Sequence, residues 1–187
     1  VWSSEDSPIP RDELLQRAAG TVGILCMLTE KIDAELFDAA GPQLRAVSTM
    51  SVGADHIDRD EAERRGIAVG TTPGVLDDAV ADLTVALMLN ASRRIDEAAQ
   101  TARNGQWSTW SPYWMTGQDL SQSTVGIVGL GAIGIAVAKR LKGFGCKVLY
   151  SGRTRKPELE QQFGLEYRSQ DELLRESDFV TVHTALT

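Results

Sequence analysis

Cysteine and histidine are scarce in this chain, with two residues of each type among 187. Cys26 and Cys146 lie far apart in apolar surroundings typical of strands, and neither belongs to a cluster with metal-ligand spacing. This arrangement excludes a disulfide framework and a zinc motif. We therefore expect two reduced core thiols, no metal site and a cytoplasmic protein.

Long hydrophobic runs and blocks of one charge are also missing. No apolar stretch approaches the roughly 18 residues of a transmembrane helix, and the first four residues do not resemble a signal peptide. The formal net charge of -7 is spread without a basic block. Neither nucleic acid nor a membrane is therefore an expected partner, and an anionic ligand would have to be held by local structure.

The clearest motif present is G-x-G-x-x-G at Gly129, Gly131 and Gly134, directly after the apolar run 125–128. Gly129 permits a tight turn, Gly131 lets bare backbone approach a pyrophosphate, and Gly134 lets a helix pack closely on the strand. The unpaired N–H groups at the start of that helix favour an anion. With a second strand predicted at Lys147–Ser151, the motif indicates a dinucleotide-binding turn rather than a plain glycine-rich turn.

The second half of this fingerprint departs from the form that binds NAD. An NAD site usually offers an Asp or Glu to the ribose hydroxyls about 20 residues after the first glycine. Here the strand ends in Tyr150 and Ser151, followed by Arg153 and Arg155, with no acidic residue before Glu158. Arginine can hold a 2′-phosphate that a carboxylate would repel. The pattern favours NADP(H) over NAD(H); the alternative is a solvated basic turn without a ligand.

Hydrophobic patterning predicts two α/β units. The first, residues 1–73, is expected to alternate strands and helices over 22–28, 33–40, 45–50, 58–65 and 67–70. The second, residues 74–187, begins with a long linking helix from Asp77 to about Arg103. After the glycine-rich turn, its further helices and strands are predicted at 157–163, 165–167, 170–176 and 179–183. Because the fingerprint starts late and the chain does not begin with Met, we expect a piece of a longer polypeptide, with both units incomplete.

Aromatic residues are concentrated in one loop, which contains Trp107, Trp110, Tyr113 and Trp114 among Ser, Pro and Gly. So many large rings have to be covered by some surface. We interpret the loop as an arm that contacts another subunit in a homodimer, together with the long helix. The alternative is that the rings pack within their own domain.

Several segments together resemble the D-2-hydroxyacid dehydrogenase family, over nearly the whole chain. The residues that carry the resemblance are the stretch 48–53, Asp55 and His56, the turn 72–74, the long helix, the motif at 125–134 and the run 177–183. Within the family, the chain is most similar to members that reduce glyoxylate and hydroxypyruvate. The fold implied is α/β, with a flavodoxin-like substrate-binding unit followed by a Rossmann-type dinucleotide-binding domain.

The resemblance implies a dimeric enzyme that transfers a hydride between NADPH and a 2-oxo acid bound in an interdomain cleft. The residues implied for the substrate are Leu28, Val52, Gly53 and Trp110. The amides of Val52 and Gly53 would hold the carboxylate, Leu28 would wall the cleft, and Trp110 would reach the partner's pocket. For Gly53 the alternative is a glycine needed only for the shape of its loop. The residues implied for the cofactor are Gly129, Gly131, Ala132, Ile133, Gly134, Ser151, Arg153, Thr154, Arg155, Ala185 and Leu186.

The family's catalytic groups, an Arg that grips the substrate and a Glu–His pair that supplies the proton, are expected beyond Thr187. The two histidines present, His56 and His183, do not match the acid–base histidine, and we interpret both as structural. Loss of a general acid typically lowers the rate about 10²–10⁴-fold. We therefore expect the 187-residue chain by itself to be inactive or nearly so.

Two alternatives remain open at this stage. A nucleotide-sensing binding protein, such as the transcriptional co-repressors that share this fold, would bind the cofactor without useful turnover, although no peptide groove can be read from the sequence. Phosphoglycerate and formate dehydrogenases are the nearer enzyme alternatives. The missing acidic residue after Tyr150 disfavours their NAD-preferring forms.

Overall fold

The computed structural model describes residues 8–184. They form two compact units that divide between Leu76 and Asp77, in the loop that follows the predicted boundary at residues 73 and 74. Each unit is built on a parallel β-sheet. No helix in this part of the chain is both long and apolar enough to cross a membrane.

The first unit contains a sheet with the strand order β1-β2-β3. Its elements in chain order are α1 (Arg11–Ala18), β1 (Gly23–Cys26), α2 (Ala34–Ala40), β2 (Ala46–Thr49), α3 (Arg59–Arg64) and β3 (Ala68–Gly70). Helix α1 is absent from the sequence-based prediction. The sequence of α1 carries little of the apolar periodicity that indicates a helix. In agreement with this, Ala18 is the one residue that the helix buries.

Aspartates cap two helices of this unit, at the starts of the predicted segments 33–40 and 58–65. Asp33 accepts a hydrogen bond from the Leu36 amide at 3.2 Å, and Asp58 accepts one from the Glu61 amide at 2.9 Å. The buried apolar core of the unit includes Ile32, Leu36, Phe37, Val47, Ile57 and Ile67. The caps and this core fix β1 and β2, whose carboxyl ends lead into the predicted substrate loops.

The second unit has a parallel sheet with the strand order β6-β5-β4-β7. Its elements are α4 (Asp77–Arg93), α5 (Ile95–Arg103), a 3-10 turn (Leu120–Gln122), β4 (Thr124–Val128), α6 (Ala132–Leu141), a 3-10 turn (Lys142–Phe144), β5 (Lys147–Ser151), α7 (Pro157–Phe163), β6 (Leu165–Tyr167), α8 (Gln170–Glu176) and β7 (Phe179–Val182). The chain moves outward from β4 to β6 and then returns to the other side of β4. Such a reversal of strand order creates a ligand crevice at the carboxyl ends of the strands.

The prediction of one long helix from Asp77 to about Arg103 is wrong, because α4 and α5 are separate helices. Arg94 lies between them with φ 53° and ψ 40°, in the left-handed region that ends the run of helical hydrogen bonds. Its guanidinium binds Glu97, in the first turn of α5, at 3.0 and 2.6 Å. No glycine or proline marks this break, so the sequence offers no signal for it.

Helices α4 and α6 share one core with the second sheet. Its buried members include Ala81, Val85, Met88, Val125, Ile127, Val137, Leu141, Val148 and Tyr150.

The two cysteines are both free thiols. Cys26 is a core residue as predicted, at 5% exposure, but Cys146 is only half-buried, because it lies in the turn just before β5.

Candidate functional site

The glycine-rich turn joins β4 to α6, and its three glycines have different surroundings. Gly129 adopts φ 96°, where a side chain would be strained, and its amide donates to the Ser151 carbonyl at 2.8 Å. A Cβ atom on Gly134 would overlap the Gly129 carbonyl oxygen. A Cβ atom on Gly131 would meet no atom of the described residues within 4 Å. The turn is therefore tight at Gly129 and Gly134 but open at Gly131.

Helix α6 begins directly after Gly131, and no side chain within residues 8–184 caps its N-terminus. The Ile135 amide donates to the Gly131 carbonyl at 2.9 Å. The amides of residues 132–134 therefore have no acceptor within the helix. These amides and the positive end of the helix dipole suit an anion.

This turn lies where the strand order of the sheet reverses. Gly129 follows β4, and His183 follows the adjacent strand β7, with the His183 amide donating to the Val128 carbonyl at 2.8 Å. Dinucleotides bind at such switch points, outside the carboxyl ends of the strands. The open backbone at Gly131 and the amides of Ala132 and Ile133 fit the pyrophosphate of a dinucleotide. Ala185 and Leu186, the predicted nicotinamide contacts, lie outside the described residues.

The residues predicted to hold the adenosine phosphate lie between β5 and α7. Arg153 and Thr154 are exposed, whereas Ser151 is buried at the end of β5. Arg155 is held by Glu160: its Nε donates to Oε1 and its Nη2 to Oε2, each at 2.8 Å. Both predicted arginines are exposed, but they differ because the guanidinium of Arg155 is bound to a carboxylate.

Tyr150 is fully buried, and its hydroxyl completes the Arg155–Glu160 pair. The hydroxyl donates to Glu160 Oε1 at 2.7 Å and accepts a hydrogen bond from the Lys156 amide at 2.7 Å. The Arg155 guanidinium and then the Tyr150 hydroxyl lower the pKa of Glu160 to about 2, while burial raises the pKa of Tyr150. Glu160 is thus a carboxylate, and Tyr150 a neutral phenol, at neutral pH.

Lys156 connects this basic turn to the glycine-rich turn. Its Nζ donates to the carbonyl oxygen of Leu130 at 2.7 Å, and Leu130 lies between Gly129 and Gly131. One ammonium group therefore holds the two halves of the dinucleotide fingerprint together.

In the first unit, hydroxyl groups hold the loop that follows β2. The Thr49 and Ser51 hydroxyls lie 2.8 Å apart, and the Ser51 hydroxyl donates to the Gly53 carbonyl at 2.7 Å. Because a hydroxyl donates one proton, Thr49 is the donor to Ser51. The Ser51 carbonyl accepts from the Thr72 amide at 2.9 Å. Val52 and Gly53 are exposed within this fixed loop, as an amide site for a carboxylate would require.

The other predicted substrate residues are both on the surface of their units. Leu28, after β1, is 64% exposed, and Trp110 is 76% exposed. In the aromatic loop, the Trp107 and Trp114 rings stack with their centroids 6.1 Å apart, and Tyr113 projects from the unit. Within the described residues, the rings of Trp107, Trp110 and Tyr113 are exposed.

The two histidines contact uncharged groups. His56 Nε2 lies 3.7 Å from the Cys26 sulfur, and His183 Nε2 lies 2.9 Å from the Thr181 hydroxyl. Burial lowers the pKa of His183, so this ring is neutral at pH 7. An acid–base histidine is commonly oriented by a carboxylate, and these contacts instead fit the structural roles predicted for both rings.

A comparison with protein families tests the dinucleotide site. The family model described as the D-isomer specific 2-hydroxyacid dehydrogenase, NAD binding domain, matches residues 85–187. The chain belongs to this family. The predicted α/β fold with a Rossmann-type NAD-binding domain is confirmed, and the cofactor class is a nicotinamide dinucleotide.

The similarity to individual relatives covers the whole chain. Glyoxylate reductase/hydroxypyruvate reductase of Mus musculus is 52% identical over 187 residues, 100% of this chain and 57% of that protein. Glyoxylate reductase of Thermococcus kodakarensis is 49% identical over 191 residues, again 100% of this chain and 57% of that protein. A solved structure of a Thermus thermophilus protein has a TM-score of 0.90 at 46% identity, covering 97% of this chain and 56% of that one. The chain thus spans little more than half the length of these proteins.

Sequence reasoning missed five residues that shape the loop after β2 and the turn between β5 and α7. They are Thr49 and Ser51 in the first, and Tyr150, Lys156 and Glu160 in the second. A signal exists for Tyr150, because a tyrosine within an apolar strand has to find a partner for its hydroxyl. Glu160 gave no comparable signal. Its partner Arg155 lies before α7, outside the regular spacing that marks ion pairs within a helix.

Proposed function

We propose that the protein containing this chain reduces glyoxylate and hydroxypyruvate to the corresponding 2-hydroxy acids with NADPH, and that the chiral product, from hydroxypyruvate, is the D isomer. The observation that carries this proposal is the uncapped start of α6, next to the open backbone at Gly131, at the switch point of the sheet. The names of the relatives at 52% and 49% identity support the substrate class.

For the cofactor, we assign the pyrophosphate to the amides of Ala132 and Ile133. We assign the 2′-phosphate of NADPH to Arg153 and Thr154, with Arg155 contributing the donors that Glu160 leaves unused. The exposure of Arg153 and the absence of an acidic residue before Glu158 support NADPH as the preferred form. NADH remains the alternative cofactor.

For the substrate, we assign the carboxylate of the oxo acid to the amides of Val52 and Gly53. The hydroxyl contacts that fix this loop support the assignment, because a preorganised loop loses less entropy on binding an anion. Leu28, exposed at the end of β1, would contribute an apolar wall to the pocket.

When bound, NADPH supplies the hydride for the carbonyl carbon of the oxo acid. The residues of this chain contribute positioning: α6 fixes the pyrophosphate, and the loop after β2 fixes the carboxylate. Holding both partners in place can supply several kcal/mol of a barrier, on the order of 7–11 in well-oriented cases. We propose that residues 1–187 alone turn over glyoxylate at a negligible rate, because the hydrogen-bond partners of His56 and His183 within residues 8–184, Cys26 and Thr181, are neutral and neither ring suits the proton transfer.

We propose that the protein acts as a homodimer in the cytoplasm. The exposed arm from Trp107 to Trp114, together with α5, which buries none of its own residues, supports a surface covered by a second copy. In such a dimer, Trp110 of the partner subunit would approach the substrate pocket. The two free thiols support a reducing compartment.

Binding measurements on the whole protein test the cofactor assignment. Calorimetric titration should show that Arg153→Ala weakens NADPH by about 10- to 100-fold, the worth of a charge-assisted hydrogen bond, and leaves NADH nearly unchanged. Arg175→Ala removes the same charge from α8 and should change neither affinity. Equal NADPH binding by wild type and Arg153→Ala would contradict the assignment. Nucleotide binding with no turnover of glyoxylate or hydroxypyruvate would instead favour a sensor.

A further inference from the structure

The turn between β5 and α7 has more internal structure than phosphate binding by exposed arginines requires. Two of its residues are fixed by the elements on either side of it: the Lys156 amide by the hydroxyl of Tyr150 in β5, and the Arg155 guanidinium by both carboxylate oxygens of Glu160 in α7. Tyr150 also donates to Glu160. A single buried hydroxyl and a single carboxylate thus hold both the backbone and a side chain of the turn.

Aromatic contacts strengthen this arrangement. The Tyr150 and Tyr167 rings meet edge to face with centroids 5.4 Å apart, and the Arg155 guanidinium carbon lies 5.8 Å from the centre of the Tyr167 ring. The Glu160 side chain is 15% exposed, whereas that of Arg155 is 61% exposed. The carboxylate is therefore the inner anchor of the cluster, and the guanidinium lies at the surface of the unit.

The two arginines of the turn consequently differ in what they offer to a phosphate. Arg155 has its charge matched by Glu160, while Arg153 is exposed two residues earlier in the chain. Lys156, whose backbone is anchored to Tyr150, sends its ammonium to the Leu130 carbonyl in the glycine-rich turn. Any movement of the turn would shift Arg153 relative to α6. It would therefore change the distance between the groups assigned to the 2′-phosphate and those assigned to the pyrophosphate.

We propose that Glu160 and Tyr150 are positioning residues for the adenosine end of the cofactor: they hold the turn 152–156 so that Arg153 meets the 2′-phosphate while Lys156 keeps the turn against the glycine-rich backbone. This inference rests on the proposed function and adds to it the residues that set the preference for the phosphorylated cofactor. Glu160 therefore favours an anionic ligand although it is itself an anion. The direction of the change in NADPH affinity when Glu160 is removed separates positioning from simple electrostatics. Removal of a nearby negative charge would, by electrostatics alone, strengthen the binding of a phosphate.

The test compares Kd values for NADPH and NADH, measured by calorimetry on the whole protein, in wild type, Glu160→Ala, Glu160→Gln and Tyr150→Phe. We expect Glu160→Ala to weaken NADPH about tenfold, as for one lost charge-assisted hydrogen bond, with NADH nearly unchanged. Glu160→Gln keeps one oxygen that can accept from the Tyr150 hydroxyl and from Arg155 Nε, loses the acceptor for Arg155 Nη2, and should show a smaller loss than Glu160→Ala. Tyr150→Phe keeps the Arg155–Glu160 pair and should fall between wild type and Glu160→Ala.

Glu158→Ala is the matched control, because it removes a carboxylate from the exposed face of the same helix. It should leave the ratio of the two Kd values unchanged. Titration with adenosine 2′,5′-bisphosphate should repeat the order of the variants without the nicotinamide half. Thermal unfolding checks that each variant is folded. If Glu160→Ala does not fold, the comparison of wild type with Glu160→Gln and Tyr150→Phe still tests the inference.

The outcomes separate this inference from the proposed function. Wild type that binds NADPH, with a Kd ratio unchanged in Glu160→Ala and Tyr150→Phe, would overturn the positioning role and leave the function standing. Tighter NADPH binding in Glu160→Ala would show that Glu160 competes with the phosphate for Arg155, and equal weakening of both cofactors would show a general loss of structure; each overturns the inference. Wild type that binds no NADPH would overturn the proposed cofactor and the inference with it.

Discussion

The loop after β2 and the turn after β4 both follow the carboxyl end of a parallel strand, yet different groups hold their backbones. In the first, the Thr49 and Ser51 hydroxyls and the Thr72 amide fix the chain around Val52 and Gly53. In the second, the shape comes from glycine backbone and from the start of α6.

The difference fits the two anions that we assign to these loops. A pyrophosphate is large and lies along the backbone, so the turn at Gly131 has to be free of side chains. A carboxylate is small and can be held by two neighbouring amides, so side chains can surround the loop as long as they fix it. We therefore expect the loop after β2 to be sensitive to the loss of a hydroxyl group, and the turn after β4 to be sensitive to the addition of a side chain.

The largest expected effect is that of Gly134→Ala. The added Cβ atom would overlap the Gly129 carbonyl oxygen, a backbone atom, so relief of the overlap requires a shift of the turn or of α6. We expect the free energy of unfolding to fall by about 2–3 kcal/mol or more, measured by urea denaturation, with loss of cofactor binding. An unchanged unfolding midpoint would contradict the close packing of α6 on β4.

Ser51→Ala tests the hydroxyl-held loop. The substitution removes the donor to the Gly53 carbonyl and the acceptor for Thr49, so the unfolding free energy should fall by about 1–2 kcal/mol. The KM for the oxo acid should rise more than kcat falls, because the loop binds the substrate in the ground state as well. Ser48→Ala, at an exposed serine of β2, the strand that precedes this loop, should change stability by less than about 0.5 kcal/mol. A Ser51→Ala protein that behaves like this control would show that the hydroxyls do not hold the loop.

Gly131→Ala makes the same change as Gly134→Ala at the open position of the turn. The new methyl group meets no described atom within 4 Å, so the unfolding free energy should change by less than about 0.5 kcal/mol. The methyl would occupy the path of the pyrophosphate, and the Kd for the dinucleotide should rise by about tenfold or more. Gly143→Ala, also in open space, is the control. Unchanged cofactor binding in Gly131→Ala would move the pyrophosphate away from this turn.

The smallest effect concerns acid stability. Contacts with Arg155 and Tyr150 lower the pKa of Glu160 from 4.5 to about 2, so its ionised form stabilises the folded state above pH 4.5. That contribution is lost as the pH falls from 4.5 towards 2. Glu160→Gln should therefore lose less unfolding free energy than wild type across this window in urea titrations. Glu158→Gln should follow wild type, and an identical slope in all three proteins would contradict the shifted pKa.

Local patterns predicted most of the second unit. The residues of β5, α7, β6 and α8 agree with the prediction, because buried runs, Pro157 at the start of α7 and the glycine after it are short-range signals. The glycine-rich turn was likewise predictable, since each of its glycines has a separate physical reason. The break at Arg94 was not, because nothing in its neighbours disfavours a helix.

Contacts between distant residues account for the rest. Lys156 and Leu130 are 26 residues apart, and no periodicity links them. The exposure of Arg153 and the pairing of Arg155 depend on how α7 packs on β5, which the sequence does not specify locally. The motif thus predicted the ligand class, whereas the pairing of Arg155 with Glu160, which distinguishes it from Arg153, became visible only in the structure.

The most direct test of the central claim is an amide NMR titration of the ¹⁵N-labelled whole protein with NADPH. The claim is that the backbone at the start of α6 binds the cofactor pyrophosphate. We predict that the amide signals of Gly131, Ala132 and Ile133 show the largest shifts, saturating together with those of the 152–156 turn. Saturable binding that leaves the signals of Ala132 and Ile133 in place would contradict the account.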